Sequence, residues 1–545
     1  MSRNHSFHEV RRWCLGITLL LFVLSTTVLS GKNPKLIIFI SIDQFSADYL
    51  TKYQKEYSGG LKTLTAQGVW YLNADLNYAI SETGPGHAAL GTGTYPGNSG
   101  ILSNEWFNRL TGREVYCVED SLAKPVEGEG GGFSARNLIV TGLGDWMKQV
   151  SSSSKVITAS VKDRAAILMG GQHPDYVYWY DRKNGRMVTS SYYTQALPEY
   201  VKKYNASKWL EQNVPGRWEQ LLPEGVYGKY GPDELMGEAK KNSTTSFPHP
   251  FDPKTMKEQI VTSPFADLFV LNFIREVMKS EQLGIRGVAD LLCISFSGGD
   301  YVGHAYSPDS HEMLDYLLRL DRELGKFIHD VENSFGKENI LIALSADHAV
   351  QHMPEYEQQF GNKSARRLLF QRDIEPKIDS LQKVFKAELH TTETLVRNNA
   401  FLNYTAAARA GLDSLAFEKK VRAGVLSIDG VADVYFRRDL QKRSWAPSFL
   451  GCYQRSYYPP RGKDFQVRFR ENFLVTTSLT GSTHGSPYRY DTHVALVFWG
   501  NGLKPRKVER AVATVDIAPT IANLLRVPVP KTANGKVLQE IVKGR

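Results

Sequence analysis

Short apolar runs that end on a polar residue and give way to a loop or helix recur along the chain. Lys35–Asp43 (KLIIFISID), Lys155–Lys162 (KVITASVK), Asp290–Ser297 (DLLCISFS) and Asn339–Asp347 (NILIALSAD) are four, and Asp491–Gly500 (DTHVALVFWG) follows near the end. Each is nearly continuous in apolar residues instead of alternating. Each therefore predicts a strand covered on both faces, the kind found in mostly parallel sheets. Ser310–Ser334 places Leu317, Leu320, Leu324 and Phe327 on one helical face, and Asp516–Leu525 predicts another helix. The expected fold class is α/β, a mostly parallel central sheet with helices on both faces. Ligands of such sheets collect at the carboxyl ends of strands, so the polar residues closing these runs matter most.

Two segments break the rhythm. Residues 170–285 are rich in aromatic side chains (Tyr176, Tyr178, Trp179, Tyr180), with Asn184-Gly185 marking a hairpin turn. Residues 355–480 carry mixed helix and strand signals. Both read as caps inserted into a single catalytic domain spanning 31–545. Glu127–Gly132 (EGEGGG) reads as a flexible loop, and no internal repeat is present. Residues 1–30 read as a signal peptide. Arg3, Arg11 and Arg12 precede the apolar stretch Cys14–Ser30, and Val28 and Ser30 suit cleavage before Gly31. That stretch is short for a bilayer span of ~20 residues. The expectation is a periplasmic or secreted monomer with no stable membrane anchor after cleavage.

With 42% hydrophobic and 23% charged residues over 545 positions, the chain is neither disordered nor a disulfide-stapled miniprotein. The net charge of +9 is spread without basic blocks. That argues against nucleic acid as a specific partner and is compatible with a small anionic substrate. Beyond the signal segment stand Cys117, Cys293 and Cys452. Cys293 lies within an apolar run and reads as buried, while Cys117 and Cys452 are a candidate disulfide pair. No cysteine spacing suits a zinc finger, so metal chemistry must come from His and Asp.

Those residues stand at the strand ends: Asp43, Asp300 and His304 (DYVGH), Asp347 and His348 (SADH), and His484 (STHGSPYRYDTHV). Any one alone reads more simply as a helix cap or a surface histidine. Together, three carboxylates and three imidazoles from four distant parts of the chain suit Zn²⁺, with about four ligands per ion. Thr83, in SETGPGH, adds a hydroxyl where Pro85 opens a helix. Its plain role is an N-cap. At a helix N-terminus beside a cation the same hydroxyl becomes a nucleophile, whereas His87, one turn on, reads as structural. Lys162 and Arg164 (KDR) project from one face if the extended conformation persists, as a clamp for phosphoryl oxygens. Asn104 (SNEWF) offers a neutral amide donor.

In this order the motifs resemble the alkaline phosphatase superfamily, and within it the zinc-dependent, threonine-using, phosphate-irrepressible (PafA-type) alkaline phosphatases. The resemblance runs from about Lys35 to the C-terminus. It implies one zinc site from Asp300, His304 and His484 and a second from Asp43, Asp347, His348 and the Thr83 oxygen. It also implies phosphate contacts from Asn104, Lys162 and Arg164. The C/S-x-P-x-R motif of the sulfatase branch is absent. The expected function is hydrolysis of small phosphate monoesters through a phosphothreonine at a site holding two Zn²⁺. A nucleotide pyrophosphatase or phosphodiesterase on the same ligands is the nearest alternative. An exported phosphate- or glycan-binding protein without activity is a more distant one.

Overall fold

All five apolar runs become strands of one sheet in a computed structural model that describes residues 32–240, 244–397, 400–442 and 446–544. The signal segment and Cys14 lie outside the described residues. The principal strands are β1 (Leu36–Ile42), β2 (Val69–Asp75), β3 (Val156–Ser160), β4 (Tyr176–Asp181), β5 (Arg186–Ser190), β6 (Asp290–Phe296), β7 (Ile340–Ser345) and β8 (His493–Gly500). The sheet has 11 strands, with these eight in the order β2-β8-β7-β1-β6-β3-β4-β5 and short strands at the edges. The five strands from β7 to β4 are parallel. Every residue of β1, β6 and β7 is buried. Each large apolar side chain so placed contributes about 1.5–3 kcal/mol, which makes this block a firm platform for whatever its ends carry.

Register decides where those ends fall. Ser41 of β1 lies opposite Ser295 of β6 and Ser345 of β7, and Ser295 lies opposite Ser160 of β3. The residues that follow these four strands therefore leave the sheet at one edge. β8 runs antiparallel to both β7 and β2. A continuous apolar run carries no sign of strand direction, because both faces are buried either way. The reversal has a consequence for the site: the segment before β8, which contains His484, arrives at the edge that the parallel strands leave.

The helices used below are α1 (Thr83–Thr92), α2 (Asp163–Gly170), α3 (Phe265–Ser280), α4 (Gly298–Tyr306), α5 (His311–Phe335) and α6 (Ile517–Leu524). In α5 the buried stripe includes Leu317, Leu320, Leu324 and Phe327, and the Ser310 hydroxyl accepts from the Met313 N–H as its N-cap. α1 is buried at every position. Gly91 lets it lie against α2, since a Cβ there would come within 2.6 Å of the Met169 carbonyl oxygen.

Residues 170–285, read from sequence as an inserted cap, open with β4 and β5, which extend the central sheet as an antiparallel hairpin through Asn184-Gly185. Their aromatic residues enter the main core. Tyr178 packs edge-on to Phe273 at 5.2 Å and Tyr180 to Phe269 at 5.5 Å, both phenylalanines belonging to α3. Aromatic strands of this kind bury the most area per residue. The segment near 355–480 has a small core of its own, built on Phe385, Phe417, Val421, Val434 and Phe465. Cys117, Cys293 and Cys452 are all free thiols, so the candidate pair is not joined. Cys117 instead packs under α1, 3.1 Å from where a Cβ on Gly84 would sit.

Candidate active site

Asp43 follows β1, Asp347 and His348 follow β7, and Asp300 and His304 share one face of α4 at i and i+4. The parallel register brings these ends together with His484. The Lys162 ammonium lies 2.6 Å from Asp43 Oδ2 and 2.5 Å from Asp300 Oδ2. His304 Nε2 is 3.1 Å and His484 Nε2 3.4 Å from Asp300 Oδ1. His348 Nε2 is 3.4 Å from both Asp43 Oδ1 and Asp347 Oδ2, and its ring stacks on His484 at 3.6 Å.

Two groups of side chains hold their donor atoms within 4.8 Å of one another: Asp300 with His348 and His484, and Asp43 with Asp347 and His348. His348 thus stands between the two. His304 falls outside both groups and reaches the first through Asp300.

The donors fit a divalent cation. Asp43 Oδ1, Asp347 Oδ2 and His348 Nε2 are buried and have no hydrogen-bond partner among the described residues. Each imidazole is tied through Nδ1 to a backbone carbonyl: His348 to Ala349 O at 2.9 Å, His484 to Ser81 O at 2.6 Å, His304 to Ser482 O at 2.8 Å. That bond fixes the tautomer and leaves the Nε2 lone pair facing the carboxylates.

Electrostatics point the same way. Burial pushes the Asp43 carboxyl well above its usual range, and Asp347 adds to that while Lys162 opposes it. Burial resists charge on Asp300 too, but His304 and Lys162 hold it well below. Burial takes His348 down to about 3, so its imidazole is neutral and able to ligate.

Thr83 is the first residue of α1, and Glu82, in extended conformation, takes the N-cap position. Its Oγ1 lies 3.4 Å from Lys162 Nζ and 3.4 Å from Arg164 Nη2. The extended backbone does not persist there: Lys162 is the N-cap of α2 and Arg164 stands in its first turn. The pair converges on Thr83 because α1 packs on α2, not because the residues share a strand face.

Asn104 is held on both sides. Its Oδ1 accepts the Gly84 N–H at 2.7 Å, and its own N–H donates to Glu82 Oε2 at 2.7 Å. The amide is thereby oriented with its Nδ2 donors uncommitted among the described residues. Arg164 Nη1 also donates to the Tyr116 hydroxyl at 3.2 Å.

Three supporting residues stand outside the predicted site set. Gln44 donates through Nε2 to Asp300 Oδ1 at 2.8 Å, and packs where a side chain on Gly303 would collide with it. His87 spans the site, with Nδ1 2.9 Å from Thr83 O and 3.2 Å from Asp347 Oδ2, and Nε2 2.8 Å from Ser295 Oγ. Tyr301, beside Asp300, lies with its ring 5.0 Å from the Lys162 ammonium.

Comparison with known proteins identifies the family. Residues 37–443 match the family described as type I phosphodiesterase / nucleotide pyrophosphatase. The chain is 32% identical to alkaline phosphatase PhoV of Synechococcus elongatus, over 94% of this chain and 93% of that protein. It is 30% identical to alkaline phosphatase PafA of Elizabethkingia meningoseptica, over 98% and 99%. A crystal structure of wild-type alkaline phosphatase PafA superposes with a TM-score of 0.86 at 28% identity, covering 94% of this chain and 99% of that one. Among the described residues no helix is long and apolar enough to cross a membrane. The strand-end carboxylates and imidazoles, the threonine they flank and the matched family together make this chain a member of the type I phosphodiesterase / nucleotide pyrophosphatase family within the alkaline phosphatase superfamily.

Proposed function

We propose that the chain is an alkaline phosphatase, a phosphoric monoester hydrolase that forms a phosphothreonine at Thr83 on a site holding two zinc ions. One observation carries the reading: Lys162 and Arg164 each come within 3.4 Å of Thr83 Oγ1, beside two buried groups of carboxylate and imidazole donors. The alkaline phosphatase relatives support it. Asp300, His304 and His484 would hold one ion, and Asp43, Asp347, His348 and the Thr83 oxygen the other. Bound divalent cations would supply Lewis acidity to the threonine hydroxyl, the leaving oxygen and the attacking water.

The remaining steps belong to the chain. Thr83, in the positive field of the α1 N-terminus, attacks phosphorus as the bond to the leaving oxygen breaks. Water then cleaves the phosphothreonine and restores the hydroxyl. Lys162, Arg164 and Asn104 orient the non-bridging oxygens and offset their charge, which is most of what phosphoryl transfer asks of a protein. Charge favours monoesters. Three carboxylates and the threonine oxygen balance two divalent cations, and the two basic side chains then balance a monoester dianion. A diester carries one charge fewer and a second substituent that would meet Lys162 and Arg164. The signal segment supports export to the periplasm or beyond, with the enzyme acting as a monomer on small phosphate monoesters.

The family's own description keeps the diesterase alternative in view. Rates on p-nitrophenyl phosphate and bis(p-nitrophenyl) phosphate, measured at matched concentrations for the wild type, Lys162→Ala and Arg164→Ala, separate the two. Monoester turnover should dominate and fall about 10²–10³-fold in each variant. Faster diester turnover, or monoesterase indifferent to both changes, overturns the proposal.

A further inference from the structure

A cleft of about 490 Å³ opens beside Asn104, His304 and His484. Trp106 lines it too, as do Arg461 and Lys463 from the segment near 355–480. These two cations differ in kind. Arg461 is committed: its Nη1 donates to Gly100 O at 2.6 Å and Asn137 O at 2.8 Å, and its guanidinium covers the Trp106 ring at 4.6 Å. It fastens the inserted segment to the core.

Lys463 is not committed. Its backbone is held, since the Tyr457 hydroxyl donates to its carbonyl at 2.9 Å and the next residue, Asp464, receives Arg109 at 2.6 Å. Its side chain is exposed into the cleft, and among the described residues the ammonium makes no hydrogen bond and no ion pair. Glu82 and Glu114 act on it only from a distance, and Glu82 is already occupied by the Asn104 N–H.

We infer that this cleft receives the leaving group of the substrate, and that Lys463 selects leaving groups carrying an anionic substituent. The inference rests on the monoesterase reading. In-line attack by Thr83 expels the leaving oxygen on the far side of phosphorus, and the cleft touches Asn104, His304 and His484 but neither Lys162 nor Arg164. A carboxylate or second phosphate on the departing alcohol would complete the pairing that Lys463 lacks.

The test compares 3-phosphoglycerate with glycerol 3-phosphate, two esters of primary alcohols that differ by a carboxylate in place of a hydroxymethyl group. The readout is the ratio of their kcat/KM values in the zinc-loaded full chain. Lys463→Met should lower that ratio about tenfold, the worth of one charge-assisted contact. Lys463→Glu should lower it further, and Lys463→Arg should preserve it. Melting temperatures identify folded variants, and Lys463→Gln substitutes for any that does not fold. An unchanged ratio in folded Met and Glu variants of an active phosphatase overturns the leaving-group site alone. A wild type that hydrolyses neither ester overturns the monoesterase reading and this inference with it.

Discussion

Gly86 offers a stringent test of how the nucleophile helix meets the carboxylate edge. A Cβ on this residue would lie 2.4 Å from the Asp347 carbonyl oxygen and 2.5 Å from Asp347 Cβ. The backbone at Gly86 is ordinary helix, so Gly86→Ala adds steric strain and no dihedral strain. Real Cβ contacts stay above 3.0 Å, and ordinary contact begins at 3.4 Å, so α1 and the end of β7 must part by about 0.6–1 Å. Neither side yields easily. Thr83 and Asp347 are both about fully buried, and Asp347 accepts the Gln44 N–H at 3.3 Å and lies against His87 Nδ1 at 3.2 Å. Overpacking of this kind costs about 1–3 kcal/mol of stability. A displacement near 1 Å between Thr83 and the Asp347–His348 pair should cost on the order of 10²-fold in kcat/KM. The assay is p-nitrophenyl phosphate hydrolysis at saturating zinc, with a melting curve for each protein. Gly216→Ala is the control, because nothing lies within 4 Å of its added Cβ. A Gly86→Ala enzyme with wild-type kcat/KM and an unchanged melting curve would refute the described contact between α1 and the end of β7.

Three further outcomes are expected. Chelation followed by dialysis should abolish phosphatase activity and zinc should restore it, with elemental analysis reading two zinc ions per active chain; full activity in metal-free protein would be fatal to the metal assignment. Asp309 accepts from Lys52 at 2.9 Å and from His352 at 2.5 Å; burial resists its charge, but His352 and Lys52 hold its carboxyl below the usual 3.8. A depressed carboxylate stabilises the fold above its unfolded pKa and loses that contribution as pH falls through the folded value. Asp309→Asn should therefore cost about 1–2 kcal/mol at pH 7, with the gap in melting temperature closing as pH falls below the ordinary carboxylate value of 3.8; a gap that does not change with pH would contradict the ion-pair account. Protein beginning at residue 32, unfolded in denaturant, should titrate three thiols with Ellman's reagent; a single thiol would show that Cys117 and Cys452 pair after all.

Much of the site was legible before any coordinates. Strand-end position alone singled out Asp43, Asp300 and Asp347, because a buried parallel strand must hand its chain to solvent at a polar residue. The Gly-Pro-Gly after Thr83 announced a helix start, and α1 begins there. The amphipathic period of Ser310–Ser334 located α5 to within a residue. Gln44 escaped notice and His87 was read only as structural, since a residue that acts by bonding to another ligand has no spacing of its own to betray it.

By itself, then, the sequence determined which segments are buried strands, which residues stand at their ends, and that those residues are oxygen and nitrogen donors instead of thiols. These are consequences of local hydrophobicity and residue chemistry. The tertiary structure alone decided that β8 runs backwards and so delivers His484 to the common edge, and that Lys162 and Arg164 reach Thr83 by helix-on-helix packing after the strand has ended. It alone placed His348 between two groups of donors and set Lys463 on a cleft that His304 and His484 also line. Strand direction and helix docking depend on contacts between residues hundreds of positions apart, and a pattern of apolar and polar positions is the same whichever way a doubly covered strand points.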